Sequence, residues 1–238
     1  MSESMLAGRR FVFCGASSAI ARSFVESAAG MGAEIIGITS GDPSALSGYD
    51  NVYRVSSYSG QELPELSGTV HGLVYFPGTI HLKPFARFSE NDFIQDFRIN
   101  ALGAAECIKK YHANLKSSPN ASVVLFSSVA ATLGMAYHSS IAMAKGAVEG
   151  LTRALAAEFA PHIRVNAIAP SLTETPLGQS FINSPEKREA AEKRNPMRKV
   201  GHPQEMASAV EFLLTEKSSW ITGQILSVDG GMKHLKII

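Results

Sequence analysis

Short apolar runs alternate along the chain with segments whose apolar residues recur at helical spacing. "RFVFCG" ends at Gly15 and is followed by "AIARSFVESAAGMG", in which the apolar positions have helical spacing. "AEIIGIT" and "HGLVYFPG" are further strand-like runs, and Pro77 and Gly78 stop the second one. "ASVVLFSS" lacks polar alternation, which is typical of a strand covered on both faces. "IRVNAIAP" and "QILSVDGG" complete the predicted strands.

Two longer segments have the pattern of helices. "SENDFIQDFRINALGAAECIKKYHANL" is predicted to be one long helix with Ser89 as its N-cap and acidic residues in its first turn. "SSIAMAKGAVEGLTRALAAEFA" is predicted to be a second helix, capped by Ser139 and Ser140. The apolar residues that share one side of this second helix are Ile141, Val148, Leu151, Leu155 and Phe159.

The alternation of strands and helices predicts an α/β fold with one doubly wound, mainly parallel sheet and helices on both faces. The 238 residues contain no repeat or linker, so we expect a single domain over 1–238. The stretch 41–69 is short for two full crossover helices, and we expect irregular connections there. The polar, charged segment of about 178–198 is a candidate lid, with an ordinary surface helical hairpin as the alternative.

Composition narrows the classes of partner. The chain has 22 Lys and Arg against 21 Asp and Glu, and it has no long basic run, so we expect no nucleic-acid partner. No apolar stretch approaches the roughly 18 residues that cross a bilayer, so we expect no membrane partner and a cytoplasmic location. Cys14 and Cys107 lack the spacing of metal ligands, and we expect no metal and two buried free thiols.

The turn after the first strand, "CGASSAIA", is a candidate phosphate site. In a doubly wound sheet this turn can meet a pyrophosphate, because the next helix presents unpaired N–H groups and the positive end of its dipole. Gly15 permits a tight turn, and Ser17 and Ser18 can hydrogen-bond phosphate or ribose oxygens. Ala19 and Ala21 stand where a dinucleotide motif has glycines, so on this stretch alone Gly15 could be a plain turn residue.

The rest of the chain carries a more specific pattern. Asn100 lies in "RINALGA", Ser128 ends "VVLFSS", and Lys145 follows 17 residues later. "RVNAIAPSLTETPL" comes next, and the stretch from Pro196 to Met232 is the most specific part. Together these motifs resemble the short-chain dehydrogenase/reductase (SDR) family over almost the whole chain, and most closely its β-ketoacyl-carrier-protein reductase branch. The resemblance implies a Rossmann-type fold, a small-molecule substrate and a homo-oligomer, either a dimer or a tetramer.

The resemblance also implies a nicotinamide dinucleotide as cofactor. The family pattern places four residues at the pyrophosphate, namely Gly15, Ser17, Ser18 and Ile20. It places Lys145 at the nicotinamide ribose, and it places three residues at the carboxamide and a nearby phosphate, namely Pro170, Thr173 and Thr175. The second strand ends in "GITSGD", with Thr39 and Ser40 at its tip and neither an acid nor a base before Asp42, which gives NADP a mild preference over NAD.

One departure from the family concerns the adenosine pocket. Members usually carry "NNAG" after the fourth strand, whereas this chain has "YFPG", in which Phe76, Pro77 and Gly78 would form the pocket wall. Phe76 cannot make the hydrogen bonds of an asparagine side chain. We therefore expect a looser adenine site, and a fold that no longer binds a dinucleotide is the alternative.

The second departure concerns catalysis. In the family a tyrosine four residues before the lysine donates a proton, a serine holds the carbonyl, and an asparagine anchors a water relay. Ser128, Lys145 and Asn100 match this set, but the tyrosine position is Ile141, which cannot donate a proton. The enoyl-reductase branch places its tyrosine seven residues before the lysine, where this chain has His138, and Tyr137 is one residue further away.

Several explanations of this substitution stay open. Tyr137 is a candidate replacement donor, and its alternative is a packing role under the lid. His138 as a loop residue and an engineered change at Ile141 are further alternatives. The leading hypothesis is an NAD(P)(H)-dependent oxidoreductase that acts on a carbonyl, alcohol or enoyl substrate with an atypical donor. The alternatives are a catalytically silent nucleotide-binding or regulatory subunit and a non-redox enzyme of elimination or isomerisation.

Overall fold

The computed structural model describes residues 4–236, and within them seven strands form one parallel sheet. The strands are β1 (Arg10–Cys14), β2 (Glu34–Thr39), β3 (Asn51–Arg54), β4 (Gly72–Tyr75), β5 (Ala121–Phe126), β6 (Ile163–Pro170) and β7 (Ile225–Val228). Their order across the sheet is β3-β2-β1-β4-β5-β6-β7, so the direction of winding reverses between β1 and β4. The predicted doubly wound α/β fold is confirmed.

Six α-helices cover the two faces of the sheet within the same residues. They are α1 (Ala19–Ala28), α2 (Glu90–Phe97), α3 (Gly103–Lys116), α4 (Ser139–Phe159), α5 (Pro185–Arg194) and α6 (Pro203–Leu214). Neighbouring strand residues face opposite sides, so Val12 and Cys14 of β1 pack on the α3 and α4 side. Phe11 and Phe13 of the same strand pack on the α1 and α6 side. The apolar, non-alternating strands are thus explained by a core on each face.

The long helix predicted from Ser89 is interrupted at its centre. Ser89 is its N-cap as predicted, and Asp92 completes a capping box with it. Five residues, Arg98–Leu102, form a π-helical turn between α2 and α3, in which the Gly103 N–H donates to the carbonyl of Arg98. A π-turn inside a helix often marks a functional site, and this one contains Asn100.

The predicted caps of α4 are wrong. His138 occupies the N-cap position without a side-chain cap bond, and Ser139 is already the first helical residue. Ser140 donates its hydroxyl hydrogen to Asp96 Oδ2 at 2.6 Å instead. The buried Ser139 Oγ has no hydrogen-bond partner among the residues that the structure describes. Ser140 therefore does not cap the helix, because its hydroxyl makes a tertiary hydrogen bond with Asp96.

Two connections differ from simple crossovers. Between β2 and β4 the chain forms a 3-10 turn at Pro43–Ala45 and the four-residue edge strand β3, which the sequence did not predict. The rest of this connection contains no helix, in agreement with the expected irregular path. The candidate lid of 178–198 consists of a 3-10 turn at Gln179–Phe181 followed by α5.

Two expectations from composition concern the cysteines and membrane-spanning helices. Cys14 and Cys107 are buried and free, and burial together with the neighbouring Cys14 thiol raises the pKa of the Cys107 thiol. The part of the chain between residues 4 and 236 has no helix that combines the length and apolar character of a membrane span.

Candidate active site

A cavity of about 960 Å³ opens where β1, β4, β5 and β6 end. This is the edge at which a doubly wound parallel sheet binds its ligands, beside the point where the strand order reverses. The site residues predicted from the sequence that line the cavity are Gly15, Ser17, Ser18, Ile20, Ser40, Phe76, Pro77, Gly78, Ser128, Lys145, Pro170, Thr173 and Thr175. Three further predicted residues, Thr39, Asn100 and Tyr137, do not line it.

The turn after β1 brings a helix N-terminus to the cavity. Gly15 has a φ of +84°, and a Cβ atom there would lie 2.7 Å from Pro77 Cδ, so both conformation and space require glycine. Ser18 caps α1 by accepting a hydrogen bond from the Ile20 N–H at 3.3 Å. The first residues of α1 line the cavity, where their N–H groups and the helix dipole favour an anion. This turn therefore fits a pyrophosphate despite its alanines.

Hydroxyl groups dominate the part of the cavity that lies beside the ends of β2 and β3. Thr39 is fully buried and accepts a hydrogen bond from the Gly41 N–H at 3.0 Å, whereas Ser40 reaches the wall. Ser56, Ser57, Tyr58 and Ser59, which follow β3, line the same end. Burial raises the pKa of Tyr58 to about 12, and a hydrogen bond with Ser40 acts against this rise. Neutral hydroxyls therefore stand where a ribose-binding acid would be expected.

Aromatic packing builds the wall formed by "YFPG". The Phe76 ring packs against those of Phe13 and Phe126, with centroids 5.2 and 5.4 Å away. Tyr75 is buried and donates its hydroxyl hydrogen to the Ile99 carbonyl at 2.6 Å. This carbonyl belongs to the π-turn, where the regular helical hydrogen-bond ladder is broken. Tyr75 thus satisfies a polar group of the π-turn from the neighbouring strand.

Asn100 lies directly behind the cavity wall. Its Nδ2 donates to the Asp96 carbonyl and to Thr79 Oγ1, both at 2.8 Å. A Cβ atom on Gly78 would lie 3.2 Å from Asn100 Oδ1 and 3.4 Å from Lys145 Nζ. Gly78 is therefore the thin part of the wall, and its lack of a side chain lets Asn100 and Lys145 approach the same point.

Lys145 and Ser128 occupy the end of the cavity beside α4. Lys145 is 7% exposed and donates a hydrogen bond from Nζ to the Phe126 carbonyl at 2.8 Å. Burial lowers the pKa of Lys145 to about 8, and the Asp96 carboxylate acts in the opposite direction. Ser128 accepts a hydrogen bond from the Ala130 N–H at 3.1 Å. Ile141 lies on the same wall.

Tyr137 is not brought together with these groups. Tyr137 is 60% exposed, and its backbone has a φ of 70°. Its carbonyl accepts a hydrogen bond from the Lys83 N–H at 3.3 Å. Together with His138 it lines a separate cavity of about 310 Å³. Tyr137 therefore lines a different cavity from the one that Lys145 lines.

Sequence and structure comparisons place the chain among known proteins. Residues 49–233 match the family described as "Enoyl-(Acyl carrier protein) reductase". A tropinone reductase homolog of Arabidopsis thaliana is 35% identical over 247 residues, which cover 95% of this chain and 91% of the relative. The chain belongs to the short-chain dehydrogenase/reductase family. In alignments with two further Arabidopsis homologs, this SDR spans 55% and 63% of the relative.

Solved structures agree with this placement. The ligand-free aldohexose dehydrogenase of Thermoplasma acidophilum has a TM-score of 0.90 and 28% identity, and the match covers 100% of this SDR and 98% of that chain. A protein assigned as a 2-deoxy-D-gluconate 3-dehydrogenase of Agrobacterium tumefaciens, with bound NADP, has a TM-score of 0.86 and 26% identity. That match covers 97% and 99% of the two chains. The β-ketoacyl-reductase branch is not distinguished by these relatives and stays a prediction.

A polar cluster behind the cavity wall of this SDR was not predicted from the sequence. Asp96 is fully buried and receives hydrogen bonds from Thr79, His81 and Ser140. One signal was available, because Asp96 lies four residues before Asn100 and therefore on the same helical face. Its other partners come from separate segments of the chain, and no local spacing connects them.

The buried Lys145 predicts a specific dependence of stability on pH. Its pKa falls from 10.5 to about 8 on folding, so the unfolded chain binds more protons between these values. The folded state is then stabilised as the pH rises through this window, by on the order of 3 kcal/mol. In urea unfolding of wild type and Lys145→Met, we expect the wild type to gain stability relative to the variant between about pH 7 and about pH 10. Parallel pH profiles would contradict this.

Proposed function

We propose that this SDR is an NAD(P)(H)-dependent oxidoreductase that interconverts a carbonyl and an alcohol of a small molecule with an atypical proton donor. One observation carries the proposal: a single cavity joins the N-terminus of α1 to Ser128 and Lys145. The bound NADP of the Agrobacterium relative supports the same class of cofactor. Retained Ser128 and Lys145 favour redox chemistry over a bare scaffold.

The cofactor would lie along the cavity from the hydroxyl-rich end to α4. The turn at Gly15 and the first residues of α1 would hold its phosphates, and Lys145 would hold the nicotinamide ribose. A bound dinucleotide supplies or accepts the hydride. Ser40 places no carboxylate at the tip of β2 that would repel a 2′-phosphate, and this supports the mild preference for NADP.

Ile141 cannot supply the proton that the oxygen of the reduced carbonyl requires, so another group must donate it. Lys145 is the group we assign, because its ammonium lies in the cavity and burial brings its pKa to about 8. An acid with a pKa near the working pH is an efficient proton donor. Ser128 would hold the carbonyl oxygen. Tyr137 remains the alternative donor, although it lies in the separate cavity.

A catalytically silent binding subunit is the second candidate. Ile141 favours it, because this buried apolar side chain occupies the wall position from which a phenol would act. This candidate predicts dinucleotide binding without turnover. The proposed oxidoreductase predicts both.

The lid assignment also remains a proposal. Leu177 and Gly178 line the cavity next to the segment of 178–198. An ion pair between Arg188 on α5 and Glu174 connects that segment to the chain before it, at 2.5 Å. A substrate seated beside Leu177 would contact this segment, so we propose that it closes over the substrate.

Titration with NADPH and NADH, followed by nicotinamide fluorescence, tests the function. We expect saturable binding of NADPH, and consumption of NADPH when a 1,2-diketone is added. Gly15→Ala should weaken binding by ~10-fold or more, since the methyl group would overlap Pro77 and overpacking typically costs 1–3 kcal/mol. Gly30→Ala is the matched control, because Gly30 also has a positive φ but has nothing within 4 Å of its Cβ position.

The outcomes separate the candidates. Binding without consumption of NADPH would favour the silent subunit. No saturable binding of either dinucleotide would contradict both. Equal weakening by Gly15→Ala and Gly30→Ala would show that backbone strain, and not contact with the cofactor turn, controls binding.

A further inference from the structure

A buried carboxylate behind the cavity wall has no role in the function proposed so far. Asp96 on α2 is completely buried, and its Oδ1 accepts hydrogen bonds from Thr79 Oγ1 at 2.6 Å and from His81 Nδ1 at 2.7 Å. Burying a carboxylate without a positive partner is unfavourable. Within residues 4–236, His81 is the only basic side chain whose nitrogen lies within 4 Å of the Asp96 carboxylate. Hydrogen bonds from Thr79, His81 and Ser140 therefore stabilise this buried carboxylate.

His81 connects this carboxylate with solvent. Its side chain is 50% exposed, whereas that of Asp96 is inaccessible. Because Nδ1 faces an acceptor, we assign the proton of the neutral ring to Nδ1, which leaves Nε2 free to accept a proton from water. An imidazole held in this way can release its Nδ1 proton to the carboxylate as Nε2 takes up another from water.

Thr79 connects the carboxylate with the cavity. Its hydroxyl donates to Asp96, accepts a hydrogen bond from Asn100, and belongs to a residue that lines the cavity. The preceding residue is Gly78, whose Cβ position lies 3.4 Å from Lys145 Nζ. The Asp96 charge is also felt at Lys145, where it acts to raise the pKa. The cluster therefore runs from solvent to the end of the cavity that holds Lys145.

We propose that His81, Asp96 and Thr79 form a proton path from solvent to Lys145, an inference that rests on the reduction proposed above. When a hydride reaches the carbonyl carbon, the C=O π bond breaks, a C–H bond forms and the hydride donor loses two electrons. The oxygen then takes a proton from the Lys145 ammonium.

The path restores that proton. His81 Nε2 takes a proton from water, and its Nδ1 proton moves to Asp96. The Thr79 hydroxyl rotates from Asp96 toward cavity water, through which its proton moves to the Lys145 amine, and Asp96 then passes its own proton to Thr79 Oγ1. One proton enters from solvent for each carbonyl reduced. The His81 ring, left with its proton on Nε2, then returns to the Nδ1 tautomer by exchange with water, which resets the path.

Few other charged groups lie near Asp96. Lys145 faces Asp96 from α4, and Ser140 on the same helix contributes a neutral hydroxyl. The ion pair of Lys83 and Asp92 lies one helical turn away, where each charge is already matched. A purely structural cluster would affect folding stability, but it would not make the reaction rate depend on an added proton carrier.

Chemical rescue of His81→Ala tests the path. We expect the rate of 1,2-diketone reduction to fall by ~10-fold or more, with the Kd for NADPH unchanged, and dissolved imidazole to restore the rate in a saturable manner. Asp96→Asn blocks the following step, so imidazole should not restore its rate. Thr79→Ser should keep the rate that Thr79→Val loses, because serine retains the hydroxyl.

Ser140→Ala is the matched control. It removes one hydrogen bond from Asp96 without interrupting the path, so imidazole should leave its rate unaffected. Nitrogen NMR of the His81 ring gives a readout that needs no turnover. We expect the neutral ring to carry its proton on Nδ1 in the wild type and to lose this preference in Asp96→Asn.

The outcomes distinguish the path from the function. Wild-type turnover with no loss in His81→Ala, a loss that imidazole does not restore, or a ring proton on Nε2 would overturn the path and leave the oxidoreductase intact. NADPH binding without any carbonyl reduction would overturn the proposed function, and the path with it.

Discussion

Ile141→Tyr is expected to raise the rate of NADPH-dependent reduction of a 1,2-diketone by ~10²- to 10⁴-fold. Position 141 lies four residues before Lys145 on α4, so the two side chains share one helical face. Ile141 also lies on the wall of the cavity that contains Ser128 and Lys145. A phenol introduced there would stand beside an ammonium, which lowers its pKa and makes it a better acid at neutral pH. Steady-state kcat and KM of the variant and the wild type are the measurement.

Two further variants identify the cause of any gain. Ile141→Phe introduces the same ring without the hydroxyl, and we expect no gain from it. A similar gain in Ile141→Phe would show that the shape of the cavity limits the rate instead of the proton. Tyr137→Phe tests the alternative donor. If it abolishes the native activity, the donor is Tyr137, and Ile141→Tyr should then help little.

Gly103→Ala is expected to destabilise the protein by about 3 kcal/mol, at the upper end of the range for overpacking. Gly103 begins α3 with helical backbone angles, so an alanine there would otherwise be favourable by ~1 kcal/mol. Its Cβ atom, however, would lie 2.2 Å from the hydroxyl oxygen of the buried Tyr75. Tyr75 is held there by its hydrogen bond to the Ile99 carbonyl in the π-turn. Urea unfolding measures the loss.

A double-mutant cycle separates this contact from other effects. Tyr75→Phe alone should cost ~1–3 kcal/mol, because it leaves the Ile99 carbonyl without its donor. In the Gly103→Ala background the same change removes the overlapping oxygen and should restore stability. Gly146→Ala on α4 is the control, because nothing lies within 4 Å of its Cβ position, and it should be neutral or stabilising. Additive effects of Gly103→Ala and Tyr75→Phe would contradict the clash.

The cavity wall was largely predictable because of where its residues stand in the chain. Gly15 follows β1, Phe76 follows β4, Ser128 follows β5 and Pro170 ends β6. In a parallel doubly wound sheet the carboxyl ends of the strands meet at one edge. Once the strands were identified, the residues after them had to converge there, whatever the details of packing.

Loops and helix starts were less predictable. Tyr137 and Lys145 are close in sequence, but a left-handed backbone at Tyr137 accompanies its position in a separate cavity. Ser140 has the residue type of a cap, yet its hydroxyl contacts Asp96, which is 44 residues away. The spacing of residues along the sequence predicts contacts within one helix or strand, whereas the surroundings of these side chains are formed by other elements.

The sequence by itself determined the alternation of strands and helices, the single parallel sheet, the glycine turn before α1 and the presence of Lys145 without a tyrosine at Ile141. These features depend on periodicity and residue type, which act over a few neighbouring positions. Only the tertiary structure decided that Tyr75 meets Gly103 and that His81 and Asp96 meet behind the cavity wall. Periodicity specifies which face of an element is buried, but the polar group that it meets there is set only when distant elements pack together.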